Sequence, residues 1–198
     1  DGNDTIDGGA GADNLTGGIG NDSIIGGAGN DTIDGGADND FIDARLGKDI
    51  VFGGTGNDTI LGSVNVAGGP TFADRFTSIE SGAGTDTLVL SGFINNQVYS
   101  TSTLATLVTN TEILSIKGDA TSTAFHVDSA SILSITGVVG STANPALTVL
   151  GDLGADTFTI DLSSGQTTSV LAGSGNDITY GIYSSTSVLQ ATVHWQAT

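Results

Sequence analysis

The sequence predicts an all-β solenoid, a chain wound into stacked coils of short parallel strands. Residues 8–61 divide into six tandem nine-residue words of the form G-G-x-G-x-D-x-U-x, with U a large aliphatic residue, and a seventh copy entered mid-word opens the chain at Gly2. The sixth position is Asp in every copy: Asp4, Asp13, Asp22, Asp31, Asp40, Asp49 and Asp58. The eighth is always aliphatic: Ile6, Leu15, Ile24, Ile33, Ile42, Val51 and Ile60. A fixed short period of this kind marks a repeat architecture in which each unit buries its apolar side only against its neighbours.

Each position of the word has a physical task. The glycines suit turns that need positive φ. The x-U-x segment is short, often β-branched and bounded by Gly and Asp, so it reads as a strand. One turn and one strand make half a coil, and two words, eighteen residues, make a full one. The aliphatic residue then points inward, and the turns line the two edges.

The words 17–25 (GGIGNDSII), 26–34 (GGAGNDTID), 35–43 (GGADNDFID) and 53–61 (GGTGNDTIL) resemble the nonapeptide of the RTX family. That resemblance implies a right-handed parallel β-roll with Ca²⁺ held between turns two words apart. The implied pairs are Asp4/Asp22, Asp22/Asp40 and Asp40/Asp58 on one edge, with Asp13/Asp31 and Asp31/Asp49 on the other. Carbonyls of motif positions two and four would complete the sites, namely those of Gly9, Gly11, Gly18, Gly20, Gly27, Gly29, Gly36, Gly54 and Gly56.

Two words depart from the pattern. Asp38 stands in place of the second turn glycine, at a position where Asp tolerates left-handed geometry. Ala44-Arg45 replaces a Gly-Gly pair, and Arg45 with Lys48 puts two cations in one turn, so the word supports the Asp49 sites least.

The metal is expected to be structural. One aliphatic side chain per nine residues returns less free energy than ordering nine residues of backbone costs. Stacked carboxylates repel by roughly 1 kcal/mol per pair even in a water-like dielectric. An all-oxygen donor set in irregular turns, with no Cys or His in the repeats, suits Ca²⁺ best. The strict phase of Asp and aliphatic residue argues against a flexible Gly/Asp-rich linker.

Composition points the same way. The chain of 198 residues carries 22 acids against 4 bases, a net charge of −18, which excludes a nucleic-acid partner on electrostatic grounds. Cys and Met are absent, so calcium takes the place of disulfides as the staple. No signal peptide or membrane-inserting run is visible. The start inside a word, without Met, suggests a piece of a longer polypeptide. The N-x-[ST] sequons at Asn3, Asn14, Asn21, Asn30 and Asn57 fall out of the repeat word and read as by-products.

Beyond the calcium-binding region, residues 1–62, the phase breaks over residues 63–80, an insertion or change of coil shape. Residues 81–198 are rich in Ser, Thr and aliphatic residues, with short apolar-alternating segments and polar turns between them. Degenerate words occur at 81–89 (SGAGTDTLV), 151–159 (GDLGADTFT) and 172–180 (AGSGNDITY), making Asp86, Asp156 and Asp177 further metal candidates. The simplest expectation is a wider, less regular solenoid. An antiparallel sandwich is the competing one, and residues 97–108 could hold one short helix. Phrases such as TNTEILSIKG (109–118) and GDLGADTFTIDLS (151–163) resemble RTX-type bacterial surface-layer proteins.

No catalytic constellation is found, so no enzyme is expected. His126 lies near Asp128 without a nucleophile motif, His194 and Trp195 sit near the end, and Glu80 and Glu112 precede strand-like runs without a partner. The expected function is a calcium-dependent extracellular structural module of a Gram-negative surface protein, in a surface layer, filament or adhesin. The resemblance implies export by type I secretion. Expected partners are further copies of itself or cell-surface polysaccharide. The alternative is a non-catalytic RTX export and folding domain of a secreted enzyme or toxin.

Overall fold

The computed structural model describes residues 1–63, 76–91, 98–100, 107–117, 124–128, 146–151, 157–161, 167–174, 177–183 and 189–197. All regular elements among them are strands. The repeats supply β1 (Thr5–Asp7), β2 (Asn14–Ile19), β3 (Ser23–Ala28), β4 (Thr32–Ala37), β5 (Phe41–Leu46), β6 (Asp49–Thr55) and β7 (Thr59–Ser63). Odd-numbered strands enter one sheet, in the order β1-β3-β5-β7, and even-numbered ones the other, in the order β6-β4-β2. The result is a parallel β-roll in which each coil contributes one strand to each face.

The register repeats every eighteen residues. Ile6 pairs with Ile24, Ile24 with Ile42 and Ile42 with Ile60 in the first sheet. Leu15 pairs with Ile33 and Ile33 with Val51 in the second. The core is this stack of position-eight side chains: Ile24, Ile33, Ile42, Val51 and Ile60 are fully buried. Period-two alternation places their neighbours outside, which is why Phe41 and Phe52 are exposed although apolar.

Coils then widen. β8 (Phe76–Glu80) pairs with β6, and β9 (Thr87–Ser91) with β7, so that Ile79 meets Val51 and Leu88 meets Ile60 at a spacing of 28 residues instead of 18. Residues 64–75, inside the expected transition, lie outside the described residues. β10 (Val98–Ser100) opens a third sheet with β13 (Ala124–Asp128) and β15 (Thr157–Asp161), while β11 (Val108–Thr109) pairs with β8 and β12 (Ile113–Lys117) with β9. From β9 to β11 the coil therefore visits three sheets. The short helix expected over 97–108 is not formed where the chain is described: Val98–Ser100 is a strand, and β11 begins at Val108. Its Thr and Val content favours extended backbone.

Pairing among β8 to β15 is parallel throughout the described residues, which answers the sandwich alternative for that region. β14 (Ala146–Gly151) continues the large sheet and pairs in parallel with β18 (Leu189–Ala197). β16 (Thr167–Ser174) and β17 (Asp177–Tyr183) then complete an antiparallel meander with β18. Only two residues separate β16 from β17, too few for the crossover a parallel return requires.

Replacing Ile42 by Ala should cost about 2–4 kcal/mol, the usual weight of a truncated core aliphatic. Replacing the exposed Ile19 by Ala should change stability by no more than about 0.5 kcal/mol. Denaturant unfolding in saturating calcium, followed by far-UV circular dichroism, measures both.

Candidate metal centre

The turns are fixed by residues in the left-handed region. Positions two and four of the words take φ between +89° and +135° at Gly9, Gly11, Gly18, Gly20, Gly27, Gly29, Gly36, Gly54 and Gly56. Asp38, at position four of its word, adopts φ +77°, and Arg45, at position two, adopts +63°. Both departures from glycine keep the turn's shape. The Arg45 guanidinium is directed at Asp43, with Nε 3.3 Å from Oδ2.

Left-handed turns bring successive words into contact through two opposed ladders. In the first, each Asp reaches back. The N–H of Asp4 donates to Asp22 Oδ1 at 2.7 Å, Asp22 to Asp40 at 2.8 Å and Asp40 to Asp58 at 2.8 Å. On the opposite edge Asp13 donates to Asp31 at 3.0 Å and Asp31 to Asp49 at 2.9 Å. In the second ladder, Asn at position five reaches forward: Asn3, Asn21 and Asn39 Oδ1 accept the N–H of Asn21, Asn39 and Asn57. Asn30 likewise accepts from Lys48. In the sequence, Asn3, Asn21, Asn30 and Asn57 stand out only as sequons, and Asn39 is not singled out. Their recurrence at one position was the signal of a structural task.

The aspartate ladder is half satisfied. Oδ2 of Asp13, Asp22, Asp31, Asp40, Asp58 and Asp86 is buried without a hydrogen-bond partner among the described residues. A Cβ built on Gly35 would lie 2.5 Å from Asp40 Oδ2 and 2.5 Å from the Gly53 carbonyl oxygen. At Gly8 the same groups are Asp13 Oδ2 at 2.9 Å and the Gly26 carbonyl at 2.6 Å, and at Gly26 they are Asp31 Oδ2 at 2.9 Å and the Ala44 carbonyl at 2.8 Å. Beside each first glycine, an unpartnered carboxylate oxygen and a carbonyl of the next coil thus converge on space that a side chain would fill. Position two is different: the Gly9 and Gly54 carbonyls accept N–H groups of Ala28 and Ala83, each at 2.8 Å.

A buried, unpartnered carboxylate oxygen demands a proton or a cation. Burial pushes the Asp40 carboxyl up to about 6, against the backbone hydrogen bond from Asp22, and the charges of Asp58, Asp22 and Asp38 push the same way. Asp58 is raised by burial and by Asp86. Among the described residues no three acidic or histidine side chains cluster, so a cation here draws its remaining ligands from main-chain oxygen. That donor chemistry fits Ca²⁺, which takes six to eight oxygens in flexible geometry.

Residues 1–33 and 25–60 match the family model of the RTX calcium-binding nonapeptide repeat. Residues 1–60 are RTX repeats. Repeats of this family bind Ca²⁺ and are structural, non-catalytic modules, typically of proteins secreted by Gram-negative bacteria. No curated protein and no solved structure matches the chain.

Of the candidates beyond the RTX repeats, Asp86 is fully buried and extends the ladder: its Oδ1 accepts the Asp58 N–H at 2.8 Å. Glu112, unpartnered in the sequence reading, follows it. Its Oε2 accepts the Asp86 N–H at 2.9 Å, and Leu114, two residues on, is buried as the position-eight residues are. The shared two-residue spacing, Asp86/Leu88 and Glu112/Leu114, was the signal available in the sequence. On the other edge, Phe76 pairs opposite Asp49 in the next coil. Asp156 lies outside the described residues. Asp177 opens β17 and pairs antiparallel with Ser174 and Gln196. His126 and Asp128 lie in β13 and His194 in β18, in different sheets.

In chelator, the raised carboxyls make the folded roll bind more protons than the unfolded chain between their ordinary value of 3.8 and about 6. Stability without calcium should therefore fall as pH rises through that window and be recovered on acidification. With calcium bound the sign reverses, because protons displace the metal. Circular dichroism from pH 7 to 4.5, with and without calcium, should show opposite trends.

Asp40→Asn keeps an acceptor for the Asp22 N–H but removes the buried charge. It should make the calcium-free chain more ordered, and raise the calcium midpoint of folding by roughly tenfold, about 1.4 kcal/mol. Calcium titrations of the two proteins measure this.

Proposed function

We propose that this chain is a calcium-switched structural module of a secreted bacterial protein, built into an extracellular layer, filament or adhesin. The observation that carries this reading is the row of buried carboxylates at Asp22, Asp31, Asp40 and Asp58, each with one oxygen bonded across coils and the other without a hydrogen-bond partner among the described residues. Such a row opposes folding while it is charged and bare, and favours it when calcium is bound. The Asp4 to Asp58 and Asp13 to Asp49 turns are the proposed sites, with carbonyls of the neighbouring turns as co-ligands.

The switch fits export. Cytosolic calcium is scarce, so the chain stays extended. Extracellular modules of this kind bind at about 10⁻⁴–10⁻³ M, and outside the cell binding free energy becomes folding free energy. A net charge of −18 also keeps folded copies apart until cations screen or bridge them. The Thr- and Val-rich strands beyond the repeats extend the same sheet, which suits a building block better than a short export tag.

Assembly should therefore need more calcium than folding does. A calcium titration followed by circular dichroism and light scattering should give two separate midpoints, folding first. Oligomers that persist in chelator, or full folding at sub-micromolar calcium, would contradict the proposal.

A further inference from the structure

The carboxylate ladder does not end with the RTX repeats. Beyond residue 60, the turn over residues 81–86 keeps the two left-handed glycines, Gly82 at φ +109° and Gly84 at +153°, while buried Ser81 stands where the repeats have their first glycine. Its Asp86 is fully buried, and Oδ2 has no hydrogen-bond partner among the described residues. The next turn in the stack is built differently. Thr109 pairs with Glu80 and is followed by Asn110 at φ +57°, Thr111 and then Glu112. Three steps thus carry the chain from Thr109 to Glu112, where six carry it from Glu80 to Asp86. The shorter turn has none of the repeat's glycines. The extra methylene of Glu over Asp lets the carboxylate reach back, and Oε2 accepts the Asp86 N–H at 2.9 Å. The Thr111 hydroxyl, buried, bonds the buried Ser81 hydroxyl at 2.6 Å.

We infer that Asp86 and Glu112 hold a further calcium ion, in a turn pair that lies outside the matched repeats and takes its second carboxylate from a turn without the word. Two acids alone would not make a site. The second observation is Asp86 Oδ2, fully buried beside a second carboxylate and without a hydrogen-bond partner among the described residues. A divalent cation is the ligand that resolves both the missing partner and the repulsion between the two charges. This site would tie β12, the second strand after the third sheet opens, to the metal-dependent roll. It rests on the calcium reading of the repeats and carries it 52 residues further along the chain, from residue 60 to residue 112.

The test is Glu112→Gln in the full chain. Gln still offers an oxygen to the Asp86 N–H, so it removes the charge and keeps the hydrogen bond. Equilibrium dialysis against calcium should show one ion fewer per chain than in the unaltered protein, with the β-structure of the repeats still gained on calcium addition. In the unaltered chain, the ¹³C side-chain carboxyl resonance of Glu112 should shift during a calcium titration. Equal stoichiometry in the two proteins, or a Glu112 resonance that stays put while the repeats fold, would overturn the site and leave the repeats untouched. No calcium bound by the unaltered chain would overturn the functional reading beneath it.

Discussion

Each coil buries a carboxylate that the backbone satisfies by half. One oxygen of Asp22, Asp40 or Asp58 accepts an N–H from the preceding coil, and the other lies buried without a hydrogen-bond partner among the described residues. The rest of the roll is arranged around that constraint. Glycine opens every word of residues 8–61 but the one at Ala44, because the free oxygen and a neighbouring carbonyl occupy the space a side chain would need, as at Gly35. Left-handed turns bring the aspartates into line, and the asparagine ladder pulls the same turns together in the opposite direction. The core of one aliphatic residue per word is thin, which is why the proposed switch gives the metal the decision whether the coils form.

The repeats were highly legible in the sequence because each position answers one local demand. Asp at position six and the aliphatic residue at position eight gave the two faces, the coil length and the register that the structure displays at Ile24, Ile42 and Ile60. Asp38 was readable too, since its side chain is compatible with the left-handed region. Less was legible where the demand is tertiary. Glu112 serves in a turn that lacks the word's glycines, so it looked isolated until the coil geometry set it over Asp86. The role of Asn at position five was hidden because its partner is a coil away, not a neighbour in sequence.

Coil widening explains most of the remaining difference. The spacing between stacked core residues grows from 18 to 28, as in Ile60 with Leu88, and a constant-period reading cannot follow it. The third sheet and the closing meander arise from where connections are long or short. The word-like segment around Asp177 shows the risk in such a reading: a two-residue link to β16 makes it half of a hairpin, whatever its resemblance to a repeat.

Hydrogen exchange at the position-eight amides of Ile24, Ile33, Ile42 and Ile60 tests the central claim most directly. At neutral pH, millimolar calcium should protect all four strongly, and chelator should return them to the exchange rates of an unfolded chain. Strong protection of the same amides in chelator would show that the bare carboxylate ladder is tolerated and would contradict the account.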